Sequence, residues 1–370
     1  MKKYIPILCV FVLSFFEANA SEFEKESAVL RGWNFGAMYH FGKIIEHSNL
    51  IAPIIEHSTE GFEIYLSKQT YGKNSWNCFF NYPEYGLGYK FVNLGSPNYT
   101  GNAHCLFPYM NFHLLSNNSP LNINLRLGTG FAYVEKVYNA DTNPLNLAFS
   151  TNLNLVLDAQ LQLECKISST WSYLASAGIL HISNGAYMMP NISMNNVSFL
   201  TGISYSFGKE NLLKASEKKI NKKNRNWDCS VYLLGGIKEI NPIGGKKYLA
   251  GDFNLEVTKR HLQYTRIGLS LDITHDTSEY DCIIFQSLPA VDRLKTTRIG
   301  ISGGYECLFG DFSTDLFFGA YLYEPNPLYG KIYQRTSLRY RLSDRLRLSL
   351  TFRNHKGKAD FLGLGFGIRL

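Results

Sequence analysis

Apolar and polar positions alternate with period two in about sixteen stretches of ten or so residues. The runs span roughly 32–42, 61–70, 85–94, 103–115, 121–137, 147–167, 170–183 and 196–208. They resume at 227–240, 246–258, 264–275, 295–308, 311–324, 328–343, 345–356 and 358–370. Successive side chains of a strand point to opposite faces, so each run reads as a two-faced β-strand. The last is the cleanest: Leu362, Leu364, Phe366, Ile368 and Leu370 share one face, and Gly363, Gly365, Gly367 and Arg369 the other. Connections alternate in length. Ile167–Thr170, Phe309–Asp311 and Ser343–Asp344 are short turns, whereas 43–60, 184–195 and 276–294 are long loops. Membrane barrels have this asymmetry, with short turns on one side and long loops on the other. The connection 71–84 is too long for its side. The pattern predicts an all-β, antiparallel transmembrane β-barrel, and a terminal amphipathic strand suits closure.

Composition agrees. The chain holds 24 Tyr, 25 Phe and 31 Gly, an aromatic and glycine-rich balance expected of barrels with aromatic girdles. Mean hydropathy is −0.13, as two-faced strands average out. No stretch after the N-terminus approaches the ~18 apolar residues of a helical span. Residues 1–20 read as a signal peptide: Lys2 and Lys3, an apolar segment Ile5–Phe16, then Ala18-Asn19-Ala20 as a cleavage site. Cys9 follows Leu8 rather than a small residue, which argues against a lipoprotein anchor. Four parts follow: 1–20 signal peptide, 21–208 a first barrel half, 209–226 a basic polar linker or periplasmic turn, and 227–370 a second half. Eight strands a side permit two small barrels, and one barrel of 14–16 strands is equally allowed.

The net charge of +7 gathers in the second half on faces opposite the apolar ones: Arg335, Arg339, Arg341, Arg345, Arg347 and Arg353, with Asp315 among them. This reads as a polar lumen. Nucleic-acid binding is disfavoured by the export signal and the lack of a helical reading unit. The six cysteines beyond the signal show no Cys-x-x-Cys spacing, so no zinc site is indicated, and scattered thiols are expected rather than a disulfide framework. No phosphate-cradling loop or dinucleotide fingerprint stands out, and the chemistry below needs no metal or cofactor.

That chemistry lies in 170–208. Trp171, Tyr173, Ala175, Ala177 and Ile179 form one face of a strand, and parity continues it through His181 and Ser183. A base and a hydroxyl two residues apart at the end of an apolar face can work as a general base and a nucleophile. A bare His-x-Ser is common by chance. Here it opens His181-Ile182-Ser183-Asn184-Gly185, followed by a turn-rich loop with Pro190-Asn191 and a closing alternating strand.

This pattern resembles the outer-membrane lipid A 3-O-deacylase (acyloxyacyl hydrolase, PagL-type) family. His181 and Ser183 match the family's base and nucleophile, Asn184 the residue after the serine, and Pro190-Asn191 the following loop motif. The region from Gly303-Gly304-Tyr305 through Lys358-Ala359-Asp360-Phe361 to the C-terminus is similar to the extra part of longer members. The resemblance implies a carboxylic ester hydrolase of the bacterial outer membrane that acts on lipopolysaccharide and removes an acyl chain from lipid A. His181 and Ser183 would lie at the interface level, facing lipid. Asn184, Gly185 and Asn191 are the candidate oxyanion and substrate groups. At the acid position stands Asn195, which can orient an imidazole but brings no negative charge. That leaves room for a slow enzyme and for an inactive one. Glu135, with outward parity two strands away at ~10 Å by strand spacing, is a weak substitute. His355 falls on a polar face with no serine two residues on, so it reads as a lumen or loop histidine. A pore or scaffold that keeps the fold is the rival reading, and a homodimer is left open.

Overall fold

The computed structural model describes residues 30–115, 119–208, 227–285, 296–325 and 330–370. The signal-peptide reading for 1–20 and the linker reading for 209–226 concern stretches outside these residues. The first half comprises β1 (Trp33–Ile44), β2 (Thr59–Gln69), β3 (Glu84–Ser96), β4 (Gly101–His113), β5 (Leu121–Val134), β6 (Leu153–Lys166), β7 (Trp171–Ser183) and β8 (Met194–Ser206). The second comprises β9 (Trp227–Glu239), β10 (Lys247–Leu262), β11 (Thr265–Asp276), β12 (Thr297–Phe309), β13 (Phe312–Tyr323), β14 (Ile332–Arg341), β15 (Leu346–His355) and β16 (Lys358–Arg369). Every neighbour is antiparallel, β8 returns to β1, and β16 returns to β9. Each half is therefore a closed eight-stranded barrel, and the one-barrel alternative falls away. Closure leaves no unpaired strand edge, the condition for sheet in hydrocarbon. Among the described residues no helix is long and apolar enough to cross a membrane.

The alternation becomes an inside and an outside. Outward positions carry Phe35, Phe41, Phe62, Leu106, Phe131, Leu157 and Phe199 on the first barrel and Leu233, Leu269, Phe318, Leu364 and Phe366 on the second, all exposed. In water such surface would aggregate; against acyl chains it is the expected wall. Both lumens are filled, as eight strands leave room only for side chains. In the first barrel Lys90 and Arg126 hold Glu63, and Lys90 also reaches Asp158. Above this charged layer, toward the long loops, Ile44, Leu94, Val134, Val156, Ile182 and Met194 form an apolar plug. In the second barrel Glu256 takes Arg335 and Arg339, both at 2.7 Å. Asp252 takes Arg353 at 3.0 Å, and Asp360 takes Lys238 and Arg298. His355 lies among these groups, with its Nε2 2.7 Å from the Tyr321 hydroxyl, a lumen histidine as its parity indicates.

Four sequence readings need correction. The lumenal arginines are ion-paired, so the lumen does not account for the net positive charge. Arg341 and Arg345 are not lumenal at all: both are exposed at the short turn between β14 and β15, where Arg341 bonds Asp311. Residues 147–152 are not strand. Their apolar character comes from packing under the β7–β8 loop, where Ala148 and Phe149 are buried and the Leu147 and Ala148 carbonyls accept from Ile192 N–H and Ser193 N–H. The connection 71–84 is long because it holds a helix, α1 (Ser75–Phe79), capped by Asn74. From it Trp76 meets Phe309 edge-on at 6.0 Å and Phe79 meets Tyr264 at 5.6 Å. The turn thus spends its extra length on contact with the second barrel.

Candidate active site

β7 and β8 pair with His181 directly opposite Asn195. Odd-numbered residues of β7 up to His181 face outward, Tyr173 and Ile179 among them, and Leu174 and Leu180 face the lumen. His181 therefore stands on the lipid-facing wall at the loop end of its strand. Its Nδ1 lies 2.7 Å from Asn195 Oδ1. An amide oxygen can only accept, so Nδ1 carries the proton and Nε2 keeps its lone pair. That is the tautomer a general base needs.

Ser183 ends β7 and is only 7 % exposed. Its Oγ receives Asn191 Nδ2–H at 3.0 Å and Gly185 N–H at 3.2 Å, and its own hydroxyl points to Asn191 Oδ1 at 3.3 Å. Among the described residues no hydrogen bond joins Ser183 to His181. Two of the three oxyanion candidates, Gly185 N–H and the Asn191 amide, therefore converge on the serine. The third does not: Asn184 N–H is occupied by Asn191 Oδ1 at 3.1 Å. The buried Asn184 side chain instead fastens the loop, donating to the Met188 carbonyl at 2.8 Å and to Ser150 Oγ at 3.0 Å. Glu135 is not near the pair. It accepts from Asn102 N–H and Nδ2 on the β4 side and lies 3.6 Å from His104, so it supplies no acid to His181.

The loop between β7 and β8 is held from both barrels. Gly185 has φ 67°, the left-handed region that favours glycine. A side chain there would touch Leu155 of the first barrel and Leu362 of the second. Ala186 and Ser193 adopt φ 70° without being glycine, at about 1–2 kcal/mol each, and both are tied down. The Ala186 carbonyl accepts from Glu239 N–H of the second barrel, and Ser193 N–H donates to the Ala148 carbonyl. Lys247 donates to the Tyr187 carbonyl at 2.7 Å, stands over the Tyr187 ring at 4.5 Å and pairs with Glu239 at 2.6 Å.

Sequence reasoning missed Ser150, Lys247 and above all His47. His47 sits in the β1–β2 loop with Nδ1 3.3 Å from Asn195 Nδ2 and Nε2 3.0 Å from the Ile192 carbonyl. The one signal available was closure: if β1 adjoins β8, residues after 44 must lie beside residues before 194.

Comparison with known proteins places both halves. The lipid A 3-O-deacylase (PagL) family model matches residues 60–204, and the acyloxyacyl hydrolase C-terminal domain model matches 227–370. No curated protein matches the chain. Among solved structures the chain is similar to Neisserial surface protein A, at 12% identity and TM-score 0.31, covering 47% of this chain and 97% of that one. It is also similar to the siderophore receptor PirA from Acinetobacter baumannii, at 10% identity and TM-score 0.24, covering 87% and 68%. A mutant of the Rh. blastica porin follows at 6% identity and TM-score 0.19, covering 91% and 99%. The strand pairing, not these likenesses, carries the fold.

Proposed function

Because this outer-membrane chain belongs to the lipid A 3-O-deacylase (PagL) family, in a two-part form with the acyloxyacyl hydrolase C-terminal domain, we propose that it hydrolyses an acyl ester of lipid A with Ser183 as nucleophile and His181 as base. The observation that carries the reading is the convergence at one strand end. An imidazole in the base tautomer stands on the lipid-facing wall, two residues from a serine oxygen on which a backbone and an amide N–H already converge.

Substrate would approach laterally from the outer leaflet. As the ester seats, the Ser183 hydroxyl turns from Asn191 Oδ1 toward His181 Nε2, a contact of the kind that tightens only in the complex. Oγ bonds to the carbonyl carbon, and Nε2 takes the hydroxyl proton. The carbonyl oxygen becomes an oxyanion close to where Gly185 N–H and Asn191 Nδ2–H now meet Oγ, and those donors stabilise it. The bond to the sugar oxygen breaks, and His181 returns the proton to that leaving group. Water, deprotonated by the same imidazole, then cleaves the acyl-serine and releases the fatty acid. Asn195 orients the ring throughout and leaves the imidazolium without a counter-charge, which costs rate. The substrate partner on this reading is lipopolysaccharide, and the site asks for no metal.

Asn195 is also what favours the rival, a barrel that keeps the fold without the activity. A pore is the weaker form of that rival, since both lumens are packed with side chains. Mass spectrometry of lipid A from cells expressing the native chain or Ser183→Ala separates the readings. Loss of one acyl mass with the native chain alone is expected. Unchanged lipid A with both, from barrels shown to be folded by heat-modifiable migration, would overturn the hydrolase.

A further inference from the structure

We propose that His47 is a positioning residue that selects the working orientation of Asn195, and through it the base tautomer of His181; the inference rests on the hydrolase reading for its catalytic consequence. An asparagine at the acid position has a difficulty that a carboxylate lacks. Its two ends differ, and with Nδ2 turned toward His181 it would donate to the ring and leave Nδ1 as the acceptor. The Nε2 lone pair that must receive the serine proton would then be gone.

Three hydrogen bonds in series prevent this. The Ile192 carbonyl can only accept, and His47 Nε2 lies 3.0 Å from it, so in the neutral ring the proton is on Nε2 and Nδ1 is bare. Bare Nδ1 lies 3.3 Å from Asn195 Nδ2 and accepts its N–H. That leaves Asn195 Oδ1 toward His181, whose Nδ1–H donates to it at 2.7 Å. A backbone carbonyl of the β7–β8 loop thus fixes the tautomer of one histidine, the rotamer of an amide and the tautomer of a second histidine. His47 Nδ1 also lies 3.2 Å from the Ile45 carbonyl, a contact that needs the proton on Nδ1 and competes with the relay. The relay therefore belongs to the neutral ring that carries its proton on Nε2, the nitrogen with the shorter carbonyl contact. β1–β8 pairing delivers His47: Ile44 is opposite Asn196, and Ile45 N–H donates to the Asn195 carbonyl, so the loop leaves the sheet beside Asn195.

The test is a double-mutant cycle at pH 8, with acyl release from lipid A in detergent micelles as the readout. His47→Ala should lower kcat roughly ten- to hundredfold with KM little changed, because a wrong tautomer disables the base. His47→Asn, which keeps an acceptor near the Nδ1 place, should recover most of the loss. In an Asn195→Asp background, where both ends of the side chain accept, His47→Ala should cost less than about twofold, since nothing is left to orient. An equal loss in both backgrounds would make His47 merely structural and overturn the inference, and so would no loss in the native one. Nitrogen-15 spectra of the histidines give a readout independent of turnover. His181 should be the Nδ1–H tautomer in the native protein and a mixture in His47→Ala. A single unchanged tautomer in that variant also overturns the proposal. If acyl release proves independent of Ser183, the hydrolase reading fails, and the spectra still decide the role of His47.

Discussion

Asn195 reaches His181 at 2.7 Å, so the geometry of an acid–base pair is kept and only its charge is missing. At the residue scale this separates two contributions that a carboxylate combines, orientation of the ring and stabilisation of the imidazolium. Asn195→Asp changes the charge alone. It should raise kcat by roughly ten- to a thousandfold at pH 8, within the span that separates amide from carboxylate in serine–histidine triads, measured as fatty-acid release per folded barrel. A rate equal to or below the native one would mean that the imidazolium is served by another group. As candidates, His181 and Ser183 were legible from parity and the His-x-Ser-Asn-Gly motif, and Asn191 and Asn195 from the resemblance to the family. Asn184 was an oxyanion candidate through its place in the motif, whereas the fold turns its N–H into Asn191 Oδ1. His47 was not legible. Its partner is 148 residues away, and only closure of the first barrel brings the two loops together.

At the element scale, the β7–β8 loop keeps left-handed conformations at Gly185, where glycine allows it, and at Ala186 and Ser193, where hydrogen bonds from outside the loop hold them. Two substitutions test this, one within the loop and one in the second barrel. Gly185→Ala meets Leu155 and Leu362 at ordinary contact distance, 3.5 and 3.7 Å. Its cost is therefore backbone conformation, about 1 kcal/mol, read as weaker protection of the loop from protease. Lys247→Met removes the bond to the Tyr187 carbonyl without touching Ser183, His181 or their hydrogen-bond partners. It should lower acyl release by roughly tenfold through misplaced N–H donors, with the barrel still heat-modifiable. An unaltered rate in Lys247→Met would show that the loop holds its shape unaided. The strands themselves were readable to within a few residues, since alternation is all that a two-sided wall demands. The exceptions were 147–152 and α1, where apolar residues serve contacts between loops and between barrels, and those leave no period in the sequence.

At the scale of the whole molecule, removing one partner from a charged layer inside a barrel is expected to be costly, because it leaves a buried charge uncompensated. Lys90 is shared by Glu63 and Asp158 in a buried site. Lys90→Met leaves Asp158 without its cation and should destabilise by about 3–5 kcal/mol, seen as a lower urea midpoint for the heat-modifiable band. Arg341→Ala breaks an exposed pair with Asp311 and should change the midpoint by less than about 1 kcal/mol. Whether the chain forms one barrel or two was undecidable from periodicity, because every strand looks the same to a pattern of period two. Register decided it, through β8 meeting β1 and β16 meeting β9.

The two cylinders touch at both ends, through α1 and Phe309 at the short-turn side and through Ala186 and Glu239 at the loop side. Their joint outline in the bilayer is a figure of eight. Lipids around such an outline have two kinds of neighbourhood. Along the arcs a lipid borders one convex wall and exchanges freely, while in the two cusps it is flanked by protein on both sides. Ser183 lies next to the point where the walls meet. On the hydrolase reading, the second barrel then contributes without lending an atom to the bond changes. It sets protein on the second flank of any lipid that reaches the serine.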